Sequence, residues 1–294
     1  MEKDQIIIFK DRGLISVYGN DARDFLQNLI TNDISKVSQT KSIFTGIFTP
    51  QGKYLFEFFL IKNNKGYLID CSEEFTKDLF NYLLKYKLRA NVKLQELSTN
   101  YAIGIINYLK FKELQLEINS ERDTIYYRES PIFIDPRNNF LGARIISPLE
   151  KLYLTIKKLN LKIIDTSFFN AKSHKLGIPQ EGLSNLKEKL FGLEANFEDL
   201  GAIDFKKGCY IGQENTARMK LKNKLRKRLM SVETEQNLNI GDNLMFDDEI
   251  IGKVLINKPF PFALVNLYYS ESKKLDYSKL FINGKKVDLI SYKV

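Results

Sequence analysis

Cys209 stands between Gly208 and Gly212 and behind Lys206 and Lys207, in the run Lys207-Gly208-Cys209-Tyr210-Ile211-Gly212-Gln213-Glu214. A thiol becomes a nucleophile or a soft ligand as its thiolate, and nearby positive charge favours that form. Lys206 and Lys207 can supply it, and a helix starting near Gly212 and running through Met219 would add its N-terminal dipole. The two glycines either mark tight turns or leave the thiol open to a ligand. Gln213 and Glu214 carry an amide and a carboxylate suited to the edge of a heterocycle, and they suit the first turn of a helix equally well. The competing reading of Cys209 is a small buried hydrophobe.

The rest of the chain narrows the chemistry. Cys71 is the other thiol, His174 the single histidine, and no CxxC occurs among the 294 residues. A four-ligand zinc or iron–sulfur site within one chain is therefore not expected, and no metal ligands are assigned. Two cysteines far apart in sequence fit a reducing compartment. The first apolar run, Ile6 to Phe9, is too short for a secretory core, and Tyr54 to Ile61 is interrupted by Glu57. No apolar stretch reaches membrane-spanning length. A cytoplasmic protein with no membrane partner is expected.

The formal net charge is +9, and nine Lys/Arg against two acids between Gly201 and Met230 place +7 of it in one segment. Such a concentration favours an anionic partner: nucleic acid, phosphate or a polycarboxylate. Scattered lysines elsewhere read as solvated surface, in a chain where lysines outnumber arginines 35 to 10.

Hydrophobic spacing gives the elements that must position the cysteine. Leu14 to Tyr18 reads as a strand. Asn20 or Asp21 is placed to cap a helix carrying Ala22, Phe25, Leu26, Leu29 and Ile30 on one face. Strands follow over 42–49, 53–62 and 67–71, then a helix with Phe75, Leu79, Tyr82, Leu83 and Tyr86. This order predicts helices packed on antiparallel sheet, an α+β fold rather than a doubly wound parallel one. A second α+β unit is expected from strands at 101–107, 124–128 and 141–146 and helices at 148–160 and 167–175. Gly177-Ile178-Pro179 ends the last of these. Residues 180–200 read as connection, with a short helical piece near Leu183 to Leu190. After Arg228, short strand-like runs alternate with turn signals, and Asn283-Gly284 is a two-residue hairpin signal. A small C-terminal β-barrel or sandwich over 229–294 is expected, behind a region 1–228 that divides near 98 and 99.

Taken whole, the run Lys207–Glu214 resembles the signature K-G-C-[FY]-x-G-Q-E of the YgfZ family of folate-binding proteins, relatives of the glycine cleavage T-protein aminomethyltransferase. Every fixed position matches. The likeness continues in Leu193-Glu194-Ala195-Asn196-Phe197, Asp204-Phe205 and Thr216-Ala217-Arg218. Further back it includes Gly19-Asn20-Asp21-Ala22, Thr31-Asn32-Asp33, Thr49-Pro50-Gln51-Gly52, Asp135-Pro136-Arg137 with Leu141-Gly142, and Gly177-Ile178-Pro179. It covers nearly the whole chain and looks closest to the alphaproteobacterial and mitochondrial branch.

The resemblance implies a T-protein-like fold and a tetrahydrofolate, or a derivative, held near the signature cysteine. It implies a role in assembling or repairing iron–sulfur clusters on client enzymes, tRNA-modifying ones included, through transient contacts with client or assembly proteins. Cys209 would be the reactive thiol. Phe169, Arg144, Arg218 and Glu57 are the candidate folate contacts, and the basic run Lys220, Lys222, Lys224, Arg226, Lys227, Arg228 is placed to attract a glutamate tail. T-protein enzymes carry a pair of acids where this chain has Tyr54-Leu55-Phe56-Glu57-Phe58, with Glu57 alone. The pattern for aminomethyl transfer is thus not intact, and a folate-dependent one-carbon transferase stands as the alternative. An RNA-binding module comes third. The basic run motivates it, but no RNP-like aromatic pattern accompanies that run, and direct nucleic-acid binding is not expected.

Overall fold

Long-range contacts divide the chain into two units: Met1–Ile47, Phe56–Phe169 and Leu200–Ile211 in the first, Phe48–Leu55, Asn170–Asp199 and Gly212–Val294 in the second. The computed structural model describes residues 1–9, 12–117, 122–222, 225–268 and 279–290.

Two sheets make up the first unit, except that the strand ends Phe48 and Tyr54–Leu55 are counted with the second. One runs in the order Ile43–Phe48, Tyr54–Asn63, Gly66–Ser72, Arg12–Tyr18, Lys93–Glu96. The strand Arg12–Tyr18 pairs antiparallel with both of its neighbours. The helix Glu73–Lys87 buries Phe75, Leu79 and Leu83 against this sheet, the expected stripe. The helix after Tyr18 is shorter than its apolar spacing suggests, Ala22–Gln27, with Leu29 and Ile30 buried just beyond it. Asp21 makes no cap: at φ −96°, ψ 4° it lacks the extended backbone a cap needs, and its carboxylate accepts from Asn91 N at 2.6 Å.

The second sheet runs Lys162–Ile164, Gln5–Phe9, Tyr101–Ile106, Ala143–Pro148, Ser130–Ile134, Thr124–Tyr127. Only its first pair is parallel. The helices Tyr108–Glu117 and Leu149–Lys158 cover one face, where Phe111, Leu114, Leu152 and Ile156 meet Ile6, Ile106, Ile132 and Ile145. Alternation sends Arg144 and its cross-strand neighbour Phe133 to the other face. There Phe133 meets Phe59 of the first sheet with ring centroids 5.8 Å apart, and Phe59 meets Phe44 at 5.2 Å. The α+β expectation of helices on antiparallel sheet holds.

In the second unit, Lys227–Glu233, Phe262–Asn266, Glu249–Ile256, Asn243–Phe246, Leu280–Ile282 and Lys285–Ile290 close into a six-stranded barrel in that order. Met230, Val232, Leu244, Val254, Val265, Leu280 and Val287 fill it. The barrel expected from the change of texture after Arg228 is present. Asn283 and Gly284 make its two-residue hairpin, both at positive φ, with Ile282 paired to Lys285. The expected helical piece in the connection is the short turn Leu183–Leu186.

Candidate functional site around Cys209

The segment Leu200–Ile211 is fastened to the turn that follows the helix Ala22–Gln27. Thr31 Oγ1 donates to Ala202 O at 2.7 Å and Asn32 Nδ2 donates to Gly201 O at 2.8 Å. Asp204 N donates to Thr31 O at 3.1 Å, and Lys36 Nζ pairs with the Asp204 carboxylate at 2.8 Å. Lys36 and backbone amides hold the Asp204 carboxyl below its ordinary range. The Thr31-Asn32-Asp33 motif is therefore the receptor for the chain that carries the cysteine.

Lys207 completes this attachment. Only 6% exposed, it donates from Nζ to Gln27 O, Ile30 O and Asn32 O at 2.7, 2.6 and 3.0 Å. The same nitrogen lies 5.0 Å from the centre of the Tyr210 ring, itself buried. Burial pushes the Lys207 pKa down to about 8, against the pull of Asp33 and Asp204, so the ammonium is still the main form at pH 7. Between Lys207 and Tyr210, Gly208 and Cys209 are exposed. The small-buried-hydrophobe reading fits the other thiol: Cys71 is fully buried, and burial pushes its pKa up to about 12.

The signature continues into the second unit at Gly212. Gly212 has φ +83°, and a Cβ there would lie 2.3 Å from Thr49 O, so the fold itself demands this glycine. Gln213 and Glu214 open the helix Gln213–Leu221, Glu214 exposed and Gln213 half-buried. Asn215 Nδ2 donates to Gln51 O at 2.7 Å, so the Thr49-Pro50-Gln51-Gly52 turn docks on the start of this helix. Leu193–Phe197 is a splice onto the barrel. Leu229 N donates to Glu194 O at 2.8 Å, Asn196 Nδ2 donates to Leu229 O at 2.9 Å, and the Glu194 carboxylate accepts from Phe191 N at 2.8 Å.

Arg144, Glu57 and Phe169 lie within the first unit. Arg144 is 1% exposed; its Nη1 donates to Asp70 at 2.8 Å and its Nε to Asp135 at 3.3 Å. Arg12 joins Asp70 at 2.7 Å, and Arg137 joins Asp135 through two donors at 3.0 and 2.8 Å. Burial raises the Asp135 pKa, but Arg137 and Arg144 outweigh it and hold the carboxyl low. Glu57 is buried and adds negative charge beside Arg137. The Arg144 guanidinium lies 4.1 Å from the Phe59 ring centre. This is a buried ionic cluster joining the two sheets, invisible in a sequence that scatters it over 133 positions from Arg12 to Arg144. Phe169, 2% exposed, meets Phe9 edge-on with centroids 5.4 Å apart.

Arg218 lies exposed in the last turn of the helix Gln213–Leu221. In the basic run, Lys220 pairs with Glu198 and Arg228 with Asp199 at 2.6 Å, while Lys224 lies outside the described residues. A cavity of about 790 Å³ on the second unit is lined by His174, Phe260, Glu233, Lys285 and Lys286 among others, and by no signature residue. Among the described residues no group of three or more His, Cys, Asp or Glu side chains could hold a metal ion, and no helix is long and apolar enough to cross a membrane.

No family model matches the chain. Its sequence is 27% identical over 280 residues to the mitochondrial iron–sulfur cluster assembly factor IBA57 homologue of Dictyostelium discoideum, covering 82% of this chain and 66% of that protein. It is 30% identical over 227 residues to the homologue of Pyricularia oryzae, covering 75% of this chain and 55% of that protein. The chain thus spans between about half and two thirds of these relatives' length. Its fold is that of the glycine cleavage system aminomethyltransferase T of Bartonella henselae, with a TM-score of 0.74 at 12% identity over 99% of this chain and 85% of that one. These relatives correct one expectation. They are named as mitochondrial, which overturns the cytoplasmic reading. That reading leaned on the absence of an apolar secretory core, and mitochondrial leaders are amphipathic and basic instead. Similarity to iron–sulfur cluster assembly factors and a T-protein-like fold are what the comparisons establish.

Proposed function

We propose that this chain is an accessory factor in iron–sulfur cluster assembly or repair that binds a tetrahydrofolate and uses Cys209 as its working thiol. The observation that carries the reading is the exposed Cys209 between two buried, anchored neighbours, in a chain similar to named assembly factors. Its partners in this reading are iron–sulfur client or assembly proteins, met transiently, with [4Fe–4S] enzymes that modify tRNA among the clients.

The folate is proposed on the signature resemblance and the fold. Three of its four candidate contacts are engaged inside the first unit: Arg144 and Glu57 in the ionic cluster, Phe169 against Phe9. They do not form an open contact set, so no chemical step is routed through the ligand. Exposed Arg218, with the remaining cations of the basic run, suits a glutamate tail.

Two measurements test the proposal. Calorimetric titration with tetrahydrofolate and folinic acid should show saturable binding that survives Cys209→Ala; absence of binding to either removes the folate. A strain carrying Cys209→Ala at normal protein level should lose activity of sensitive [4Fe–4S] enzymes, and retained activity removes the thiol from the role.

A further inference from the structure

We infer that Lys207 is a positioning residue for Cys209: together with Tyr210 it pins both feet of the cysteine loop and leaves the thiol on the crest. The inference rests on the reading of Cys209 as the working thiol. On sequence alone, Lys207 reads as a source of positive charge for that thiol, but the geometry assigns its donors elsewhere. An ammonium has three protons, and here three backbone carbonyls accept them, at 2.7, 2.6 and 3.0 Å. No donor remains for a thiolate.

The three carbonyls belong to Gln27, Ile30 and Asn32, at and just beyond the end of the helix Ala22–Gln27. The last carbonyls of a helix have no partner within it. Lys207 supplies one from 180 residues further along the chain and complements the negative end of the helix dipole. Tyr210 is the second foot, buried and with its ring facing the same ammonium. Leu200 to Asp204 is held separately by Thr31, Asn32 and Lys36. Between the feet, Gly208 and Cys209 are exposed.

The geometry also sets which residue can do this. Guanidinium donors lie in one plane as a fixed fork, whereas an ammonium directs three donors from a single point. Arginine at 207 keeps the charge and loses the convergence on three carbonyls. A charge role survives Lys207→Arg; a positioning role does not.

The test uses the purified full chain as wild type, Lys207→Met and Lys207→Arg. Amide hydrogen exchange is read over 200–211, and alkylation of Cys209 by iodoacetamide is followed against pH at the peptide level. Both variants should exchange about tenfold faster in this segment or more, as expected when a local closure is lost. The rate of alkylation should change in Lys207→Arg, which keeps the charge, as much as in Lys207→Met, because the convergence of three donors is lost in both. Unchanged exchange in either variant, or an alkylation rate that changes in Lys207→Met and returns to wild type in Lys207→Arg, overturns the inference. If either variant fails to fold, the wild type decides: a fully bonded buried ammonium should give a lysine Nζ signal in nitrogen NMR that exchanges slowly with solvent, and its absence overturns the inference. Neither readout involves folate or a client. Failure of the assembly proposal, seen as normal client activity in the Cys209→Ala strain, is therefore a separate outcome.

Discussion

The first unit buries two cations that sequence reasoning assigned to chemistry, Arg144 and Lys207, and it satisfies them in different ways. Arg144 is held by full charges, the carboxylates of Asp70 and Asp135. Lys207 is held mainly by dipoles, three backbone carbonyls at the end of a short helix. The first arrangement neutralises itself and ties two sheets together. The second keeps a positive charge and ties down a loop. A carboxylate partner makes a strong bond that leaves a stranded charge when broken. Carbonyl partners lose hydrogen bonds but strand no charge. The difference separates a part that holds the fold from a part that holds the site.

Removing each cation is the most direct way to break the comparison. Arg144→Met leaves Asp70 and Asp135 buried with one partner fewer, and should cost about 3–5 kcal/mol in urea unfolding. A loss below about 1 kcal/mol would mean that water reaches the cluster, as it does for exposed pairs. Lys207→Met leaves three carbonyls short of donors and should cost less, about 1–3 kcal/mol. A Lys207→Met loss as large as that of Arg144→Met would put the loop anchor and the sheet cluster in one class and end the distinction.

The two cations should also be sensitive at opposite ends of the pH scale. Asp135 is held below its ordinary 3.8. A depressed carboxylate stabilises the native state above its unfolded pKa, and that contribution is lost as pH falls through the native value. Unfolding free energy should therefore fall below about pH 4, by no more than about 1.4 kcal/mol per pH unit for this carboxyl. For Lys207 the native pKa is lowered from 10.5 to about 8. Between these values the unfolded chain holds the extra proton, so this residue's contribution to stability rises with pH. Because buried Cys71 and Tyr126 act in the opposite sense above about pH 9, the readable quantity is a difference: the cost of Lys207→Met should grow with pH between about 8 and 10.5, whereas that of Arg144→Met should not. An alkaline limb identical in wild type and Lys207→Met would show that the ammonium is not buried in solution.

How much of this was legible in the sequence follows from the same physics. The barrel was readable because Asn283-Gly284 and the short runs around it are local signals. The helix Glu73–Lys87 was readable because its apolar stripe is regular. The helix Tyr108–Glu117 is not legible, since it buries Lys110 and Gln115 and exposes Leu109 and Leu116. Lys110 reaches Asp4 and Glu113, and Gln115 reaches Arg122 O, so polar residues occupy the inner face and hide its period. Pro131 similarly disguises the strand Ser130–Ile134, where it pairs with Tyr126. At the site, the motif positions were all visible, but their roles were not. Thr31, Asn32, Glu194, Asn196 and Gln51 act through contacts with residues tens to hundreds of positions away, and Arg144 has partners at 70 and 135. Local spacing carries no record of such pairings.

The smallest expected effect sharpens the account of what holds the cysteine loop. Gly208 and Gly212 look alike in sequence and differ in the structure. Gly212 has φ +83° with Thr49 O where a Cβ would go, so Gly212→Ala should cost about 1–3 kcal/mol. Gly208 is not at positive φ, and an added Cβ meets nothing within 4 Å. Alanine there restricts the unfolded chain and should leave stability unchanged or raise it by about 0.4–1 kcal/mol. The measurement is the urea midpoint of the two variants beside wild type. If Gly208→Ala lowers stability by more than about 1 kcal/mol, beyond the usual range for a surface substitution, the crest is itself structural. Lys207 and Tyr210 would then no longer account for how the loop is held. If it is silent, a stabilising substitution is open at a position where the chain keeps glycine. The reason for that glycine must then lie in what approaches Cys209 and not in the fold.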